Sequence, residues 1–235
     1  MPLDPALAAE LSAVSTATLT TVLLKKGLRR VAMRGPKPFG AAASGRVVGR
    51  AFTMRFVPAR EDLATPESWA SPRSTRAAIE TMEAGDVVVV DAMGIVGAGI
   101  FGDILCARMK KRGLAGLVTD GAVRDGAGVA ATGLPVWCAG VAAPPSVAEL
   151  TFVGWGEPIG CGGVAIMPGD VIVADGDGAV LIPDALVAAV VAEAVEQEKL
   201  EAWIMGEIEK GAALPGLYPA NAETRARYEA EKNRR

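Results

Sequence analysis

The sequence predicts an α/β fold with a central sheet flanked by helices. Three apolar runs without polar alternation, at residues 86–91, 114–119 and 135–142, are typical of strands that are covered on both faces. Helical patterns at residues 102–112 and 123–132 separate these runs. Such a succession of strands and helices favours a sheet with helices on both of its faces.

The flanking segments are interpreted from their apolar spacing and turn residues. Two helices are predicted before Gly27, the second capped by Ser15 or Thr16, and Asp184 is predicted to cap a long C-terminal helix. Because no linker interrupts the pattern, we expect one domain over residues 1–235, with a solvated tail or intersubunit arm at 212–235. The other expectations are a loop at 28–44, a strand at 45–59, an exposed loop at 60–73, a helix at 74–84, hairpins at 152–183 with strands at 163–167, 171–174 and 179–182, and the long helix at 185–210.

The composition limits the chemistry that this chain can perform. It contains no histidine, which excludes a Ser-His-Asp triad, a Cys-His pair and a histidine-ligated zinc site. Cys106, Cys138 and Cys161 are widely spaced, so we expect small buried side chains rather than a metal cluster or disulfides. An enzyme of this composition relies on carboxylates, Arg, Lys, amides and water. Oxygen ligands would then favour Mg²⁺ or Mn²⁺.

Charge and hydropathy point to neither nucleic acid nor membrane as a partner. The net charge of −3 offers no basic surface for nucleic acid. No uncharged apolar run reaches the roughly 18 residues of a membrane span. The first residues lack the basic and apolar regions of a signal peptide. We therefore expect a soluble protein of the cytoplasm.

The first candidate site is a glycine-rich segment between a predicted strand and a predicted helix. Gly97, Gly99 and Gly102 allow close approach of a ligand, and the start of the helix offers unpaired N–H groups to a carboxylate or phosphate. The spacing also matches a dinucleotide fingerprint, but the match is weak, because the preceding strand lies in the middle of the chain and no acidic residue about 20 positions later ends a second strand in a nucleotide-like context. The alternative is a tight turn in which Asp103 is only a helix-terminal charge.

The second candidate site is the segment from Thr119 to Gly126, again between a strand and a helix. Arg124 provides a forked donor for a carbonyl or carboxylate, and Asp125 provides a hard oxygen ligand. A surface salt bridge between these neighbours is the alternative. Open α/β sheets bind ligands at the carboxyl ends of their strands, so both segments are expected to face one crevice.

Residues 85–140 resemble the core of the RraA-like family, which includes 4-hydroxy-4-methyl-2-oxoglutarate and 4-carboxy-4-hydroxy-2-oxoadipate aldolases. The resemblance rests on Asp103 followed, after twenty intervening residues, by Arg124-Asp125, and on the segments 119–125, 135–140 and 161–183. It extends over about residues 15–210. It implies a swivelling β/β/α fold and a metal-dependent (class II) lyase that cleaves 4-hydroxy-2-oxo acids or diacids to pyruvate, with oxaloacetate decarboxylation as a related activity.

The resemblance also implies a role for each residue. Arg124 would contact the 2-oxo oxygen, and Asp125 would hold Mg²⁺ or Mn²⁺ largely through water, with Asp103 in the same network. Positive charge at that oxygen would stabilise the enolate, and a water beside the metal would deprotonate the 4-hydroxyl. The residues that would bind the small 2-oxo acid, chiefly through the amides at 103–105, are Gly102, Asp103, Ile104, Leu105 and Arg124.

Family members form trimers or hexamers in which a neighbour's C-terminal helix supplies an acid, so the resemblance implies a homotrimer or hexamer. Helical spacing leaves that acid open, because a solvated acidic face is the ordinary interpretation. It also stays open whether five arginines recognise a second carboxylate of the substrate or are only surface charges. The candidate acids are Glu193, Glu196, Glu198 and Glu201, and the candidate arginines are Arg30, Arg34, Arg50, Arg55 and Arg60.

Two other functions are weighed against the metal-dependent enzyme. Some relatives bind and regulate ribonuclease E without turnover, but the presence of both Asp103 and Asp125 favours the enzyme. A Schiff-base aldolase needs a lysine of lowered pKa. No lysine here lies among apolar strand residues that would lower its pKa.

Overall fold

The computed structural model describes residues 3–233 and confirms the α/β fold with its central sheet, flanking helices and long C-terminal helix. The helices are α1 (Pro5–Ser12), α2 (Thr16–Lys25), α3 (Thr75–Thr81), α4 (Asp103–Lys111), α5 (Gly126–Ala131), α6 (Val187–Glu209) and α7 (Ala222–Lys232). The strands are β1 (Lys37–Phe39), β2 (Val47–Pro58), β3 (Val87–Asp91), β4 (Gly116–Thr119), β5 (Ala122–Val123), β6 (Val136–Cys138), β7 (Gly140–Val141), β8 (Leu150–Trp155), β9 (Val171–Asp175) and β10 (Gly178–Ile182).

The centre of the sheet is parallel and buried on both faces. β3 lies between β2 and β4, and β4 pairs in turn with β6, all in parallel. Val88 and Val90 of β3 pack with side chains of α3, α4 and α5, whereas Val87 and Val89 pack on the other face with β9 and β10. Both faces are therefore apolar, which explains why this run lacks alternation.

The long strand β2 joins the parallel centre to antiparallel neighbours. Its first residues pair with β9, its middle with β3 and its end with β8, with a register shift between Arg55 and Phe56. The sheet order is β1-β6-β4-β3-β2-β9-β10, and β8 pairs with β2 outside this path. β1 lies within the predicted loop at 28–44, where its pairing with β6 is a long-range contact.

The glycine-rich region forms one of its predicted hairpins but not all of its predicted strands. β9 and β10 pair antiparallel around the turn after Asp175, as expected. The strand predicted at 163–167 is replaced by a single bridge between Ile159 and Ile166. Gly162 and Gly163 have φ of 58° and 77°, which turns the chain before a strand can extend.

Helices α1, α2 and α6 cover β9 and β10 with an apolar layer that includes Leu11, Leu19 and Val190. Ser15 caps α2 as predicted, because its Oγ accepts a hydrogen bond of 3.1 Å from the Thr18 N–H. Within residues 3–233 no individual helix combines the length and hydropathy of a membrane span. α1 and α2 meet that measure only as a pair bent by 107°.

Asp184 does not cap the long helix α6, contrary to the prediction. The residue before α6 is Leu186, which makes no side-chain capping bond. A short 3-10 turn, Asp184–Leu186, precedes the helix, and the Asp184 carboxylate accepts a hydrogen bond of 2.6 Å from Arg50 instead. An ion pair with a distant strand has replaced the local cap.

The described part of the C-terminal segment is a docked helix, which differs from the predicted solvated tail. Leu217 and Tyr228 are buried against Leu200 and Ile204 of α6. The Tyr228 hydroxyl donates a hydrogen bond of 2.9 Å to Glu196. A few apolar side chains in a charged sequence are therefore enough to hold α7 on its own chain. Contact of this segment with a neighbouring subunit stays a prediction.

Candidate active site

The two candidate segments meet at one edge of the sheet. β3 and β4 are parallel, so the chain leaves both strands at the same edge. Beyond them, Gly99 forms a parallel bridge with Ala122, and the Arg124 N–H donates a hydrogen bond of 2.9 Å to the Phe101 carbonyl. Main-chain bonds therefore hold the glycine-rich segment against the Arg-Asp segment.

A cavity of about 250 Å³ lies where these segments meet. It brings together the residues that the sequence analysis assigned to the 2-oxo acid and the metal: Gly102, Asp103, Ile104, Leu105, Arg124 and Asp125. It is also lined by residues that no sequence pattern indicated, from the 60–73 segment, the start of α3 and the chain after β7. These are Trp69, Thr75, Arg76, Pro145 and Ser146.

Glycines make this convergence sterically possible. A Cβ built on Gly99 would lie 2.6 Å from the Arg124 nitrogen, and one on Gly102 would lie 2.7 Å from Asp125 Oδ2. A Cβ on Gly128, in α5, would lie 2.8 Å from Asp103 Oδ2. Real Cβ contacts are longer than these, so the absence of a side chain permits the close packing of α4, α5 and their loops.

The start of α4 offers backbone donors to the cavity. Its N-cap residue, Gly102, has no side chain to satisfy them. The Ile104 N–H donates to Asp103 Oδ1 at 2.7 Å. Within residues 3–233, the N–H groups of Asp103 and Leu105 have no hydrogen-bond partner. This helix start therefore suits a carboxylate, as the sequence predicted.

Arg124 and Asp125 form an ion pair on the cavity wall. Arg124 Nε donates to Asp125 Oδ2 at 3.1 Å, with the two side chains 36% and 48% exposed. Asp125 has φ 54° and ψ 46°, a left-handed conformation that costs a residue other than glycine about 1 kcal/mol or more. It also explains why α5 begins at Gly126 and not at the predicted residue 123. Strain of this kind is common where a side chain must be held for function.

The carboxylates that face the cavity fit a weakly held hard cation. Within residues 3–233 no group of three or more His, Cys, Asp or Glu side chains is placed to enclose a metal. Mg²⁺ is commonly held through one or two carboxylates while it keeps several waters. Asp103 and Asp125 provide such a donor set, so the residues fit Mg²⁺ or Mn²⁺ retained largely through water.

Asp120 lies outside the cavity lining and has a structural environment. It is buried, and its carboxylate accepts hydrogen bonds from the Ala92 N–H at 2.8 Å and the Gly162 N–H at 3.0 Å. Burial raises the pKa of this carboxyl, against the effect of these bonds. Asp120 therefore ties the loop after β3 to the turn at Cys161–Gly163. The three cysteines are buried and unpaired, as expected.

The acids and arginines that the sequence left open do not line the cavity of their own chain. Lys26 pairs with Glu193 at 2.8 Å, and the Ser15 N–H donates to Glu198 at 2.8 Å. Arg50 is held by Asp184, and Arg60 pairs with Asp62. A neighbouring subunit's glutamate stays a prediction, and the additional arginine in the cavity is Arg76.

Comparison with known proteins places the chain among related sequences and structures. A family model described as RraA-like, Aldolase/RraA, matches residues 14–181. The crystal structure of Streptomyces coelicolor RraAS2, described as an unusual member of the RNase ES inhibitor RraA protein family, is 36% identical. It superposes with a TM-score of 0.77 over 86% of this chain and 97% of that one.

Two curated relatives are provisionally named 4-hydroxy-4-methyl-2-oxoglutarate aldolases. The protein of Halalkalibacterium halodurans is 43% identical over 102 residues, 42% of this chain and 47% of the relative. The protein of Thermus thermophilus is 34% identical over 151 residues, 63% of this chain and 81% of the relative. The match to the first relative thus spans about half of that protein's length.

Proposed function

The chain belongs to the RraA-like family, and we propose that it is a lyase that cleaves 4-hydroxy-2-oxo acids or diacids by a retro-aldol reaction. The products would be pyruvate and a second carbonyl compound. The same site would decarboxylate oxaloacetate, because both reactions leave a pyruvate enolate. The observation that carries the proposal is the convergence of the α4 amides, Arg124, Asp103 and Asp125 on one cavity.

In this proposal the chain binds the common end of its substrates through two sets of donors. The amides of Asp103 and Leu105 at the start of α4 bind the carboxylate, since these two lack partners within the described chain and lie at the positive end of the helix dipole. Arg124 donates to the 2-oxo oxygen, where negative charge develops as the bond breaks. A donor placed at such an oxygen is typically worth about 2.7–4 kcal/mol in the transition state.

Asp125, with Asp103 beside it in the cavity lining, would hold Mg²⁺ or Mn²⁺. The bound cation would supply a second positive charge for the enolate and make a nearby water more acidic. Without histidine in the chain, the 4-hydroxyl proton would pass to a water held by these carboxylates, and the enolate left by cleavage of the C–C bond would take up one proton from that water to give pyruvate. The left-handed backbone conformation of Asp125 sets the direction in which its side chain leaves the main chain.

Metal removal and replacement test the proposal directly. The purified protein, treated with EDTA, is assayed for pyruvate release from 4-hydroxy-4-methyl-2-oxoglutarate and from oxaloacetate. We expect no turnover until Mg²⁺ or Mn²⁺ is added, and little turnover with either metal in Asp125→Asn. Full activity in excess chelator would contradict the metal requirement. No pyruvate from these or other 2-oxo acids under any condition would contradict the lyase.

The second candidate function is non-catalytic regulation of ribonuclease E. It is favoured by the likeness to RraAS2, which is placed in a family of RNase ES inhibitors. A regulator acts by surface contact and has no use for the charge pair in the cavity. Inhibition of purified ribonuclease E that persists in Arg124→Ala, together with absent turnover in the wild type, would favour this candidate.

A further inference from the structure

Arg76 is an additional cation on the wall of the cavity. It lies in the first turn of α3, and its guanidinium carbon is 5.1 Å from the centroid of the Trp69 ring. Both residues line the cavity, although they are remote in sequence from Arg124 and the start of α4.

This arginine is oriented without using up its hydrogen-bond donors. Among residues 3–233 no carboxylate lies within ion-pairing distance of Arg76. By contrast, Arg108 and Arg112 both form ion pairs with Glu80 of the same helix, α3. Contact with an aromatic face restrains a guanidinium through its charge and its plane. The N–H fork of Arg76 therefore stays available to a planar anion.

The charges of the cavity leave one positive group without a substrate partner. Its ionisable lining residues are Arg76, Arg124, Asp103 and Asp125. In the proposed function, Arg124 and the α4 amides bind the 2-oxo acid end, and the two carboxylates serve the cation. Arg76 is left over. Beyond Trp69, Thr75 and Ser146 lies a second cavity of about 310 Å³ that shares these residues, so the wall holding Arg76 continues into further space.

We propose that Arg76, positioned by Trp69, is the specificity-determining residue that binds a second carboxylate of the substrate. Loss of Arg76 should then weaken the binding of dicarboxylic 2-oxo acids more than that of acids with a methyl group in place of the distal carboxylate. The cleavage part of this inference rests on the proposed function, but the binding part does not.

A binding experiment with two unreactive probes isolates this contact. 2-Oxoglutarate and 2-oxopentanoate have the same chain length and differ in the distal carboxylate, and their affinity for the Mg²⁺-supplemented protein is measured by calorimetry. A charge-assisted contact predicts that Arg76→Gln weakens 2-oxoglutarate binding by about tenfold to a hundredfold. Binding of 2-oxopentanoate should stay within about twofold, and Arg76→Lys should lie between the two because it keeps the charge but loses the fork.

The matched control is Arg225→Gln, an exposed arginine on α7 outside the cavity, which should change neither affinity. Equal losses for both probes in Arg76→Gln, or no loss for either, would overturn the inference. Pyruvate release by the wild type is assayed in parallel. If 2-oxoglutarate binding depends on Arg76 but no pyruvate forms, the proposed function fails and the subsite stands. If the wild type cleaves diacids but Arg76→Gln keeps full preference for them, the subsite fails and the function stands.

Discussion

The Asp125 carboxylate lies directly against Gly102, so that a Cβ on Gly102 would be 2.7 Å from Asp125 Oδ2. This contact connects the start of α4, with its free amides, to the Arg-Asp pair before α5. The backbone of Gly102 has φ −106° and ψ −174°, an extended conformation that any residue adopts. Glycine is therefore needed here for space and not for conformation.

Gly102 and Gly99 are expected to respond differently to alanine. In Gly102→Ala the obstacle is the end of the Asp125 side chain, which can rotate away, so we expect at least a tenfold loss of kcat with little change in Tm. In Gly99→Ala the new Cβ meets the Arg124 backbone, which cannot move as cheaply. We expect a loss of stability of about 1–3 kcal/mol.

Thermal unfolding and steady-state kinetics of the two variants check this contrast. A fully active Gly102→Ala would mean that the position of the Asp125 carboxylate is unimportant for turnover. A Gly99→Ala protein as stable as the wild type would show that the two loops can separate without cost.

Arg124→Ala and Asp125→Asn are each expected to remove most turnover without unfolding the protein. Loss of the Arg124 donor should lower kcat by about 10²–10³, the effect typical of one oxyanion donor. Asn is chosen at position 125 because it tolerates the left-handed backbone, whereas most side chains would add strain. Pyruvate release and circular dichroism are measured together, with Arg225→Ala as the control. Near-wild-type kcat in both variants would place the reaction elsewhere.

Local patterns in the sequence were sufficient to predict the central strands and the polar residues that follow their ends. The valine run of β3 and the spacing from Asp103 to Arg124 can both be read from short stretches of sequence. In the structure the segments that carry Asp103 and Arg124 meet at one edge of the sheet. Trp69 and Arg76 could not be found this way. They reach the cavity because the 60–73 segment and α3 fold back beside α4, a contact between parts of the chain that share no periodic pattern.

The same limit explains the errors at the two ends of the long C-terminal helix. Asp184 has the side chain of a good N-cap, but Arg50 of β2 lies within 2.6 Å and binds it. α7 has a charged sequence, and its buried side chains are visible as a packing face only once Leu200 and Ile204 of α6 are in place. Tertiary contacts decided both outcomes over local preference.

Borohydride reduction in the presence of pyruvate is expected to leave the protein unmodified. No lysine is among the described residues that line the cavity, so none is placed to form a Schiff base with the 2-oxo group. Intact-protein mass spectrometry after reduction is the measurement, and a Schiff-base aldolase treated alongside is the positive control. A stable adduct of pyruvate size on any lysine would contradict the metal-dependent mechanism.

Apolar side chains around the site suggest that a further surface covers it. Ile104, Val96 and Val141 are 79%, 49% and 52% exposed. Val141 lies against Gly126, next to Asp125, and Val96 packs near Gly140. Clusters of exposed apolar side chains beside a site commonly mark an interface. Because the α6 glutamates do not line the cavity of their own chain, one of them could reach a site only in a neighbouring subunit.

We therefore predict a closed homotrimer or hexamer in which a neighbouring subunit covers the active site. Light scattering should give about three or six times the chain mass of 24.1 kDa. The paired substitutions Val96→Asp and Val141→Asp should lower both the mass and the turnover, because charge at an apolar interface opposes association. Leu24→Asp, an exposed leucine of α2, should change neither. A fully active monomer at working concentration would refute the shared site but leave the assignment of Asp103, Arg124 and Asp125 intact, since these three line the cavity of a single chain.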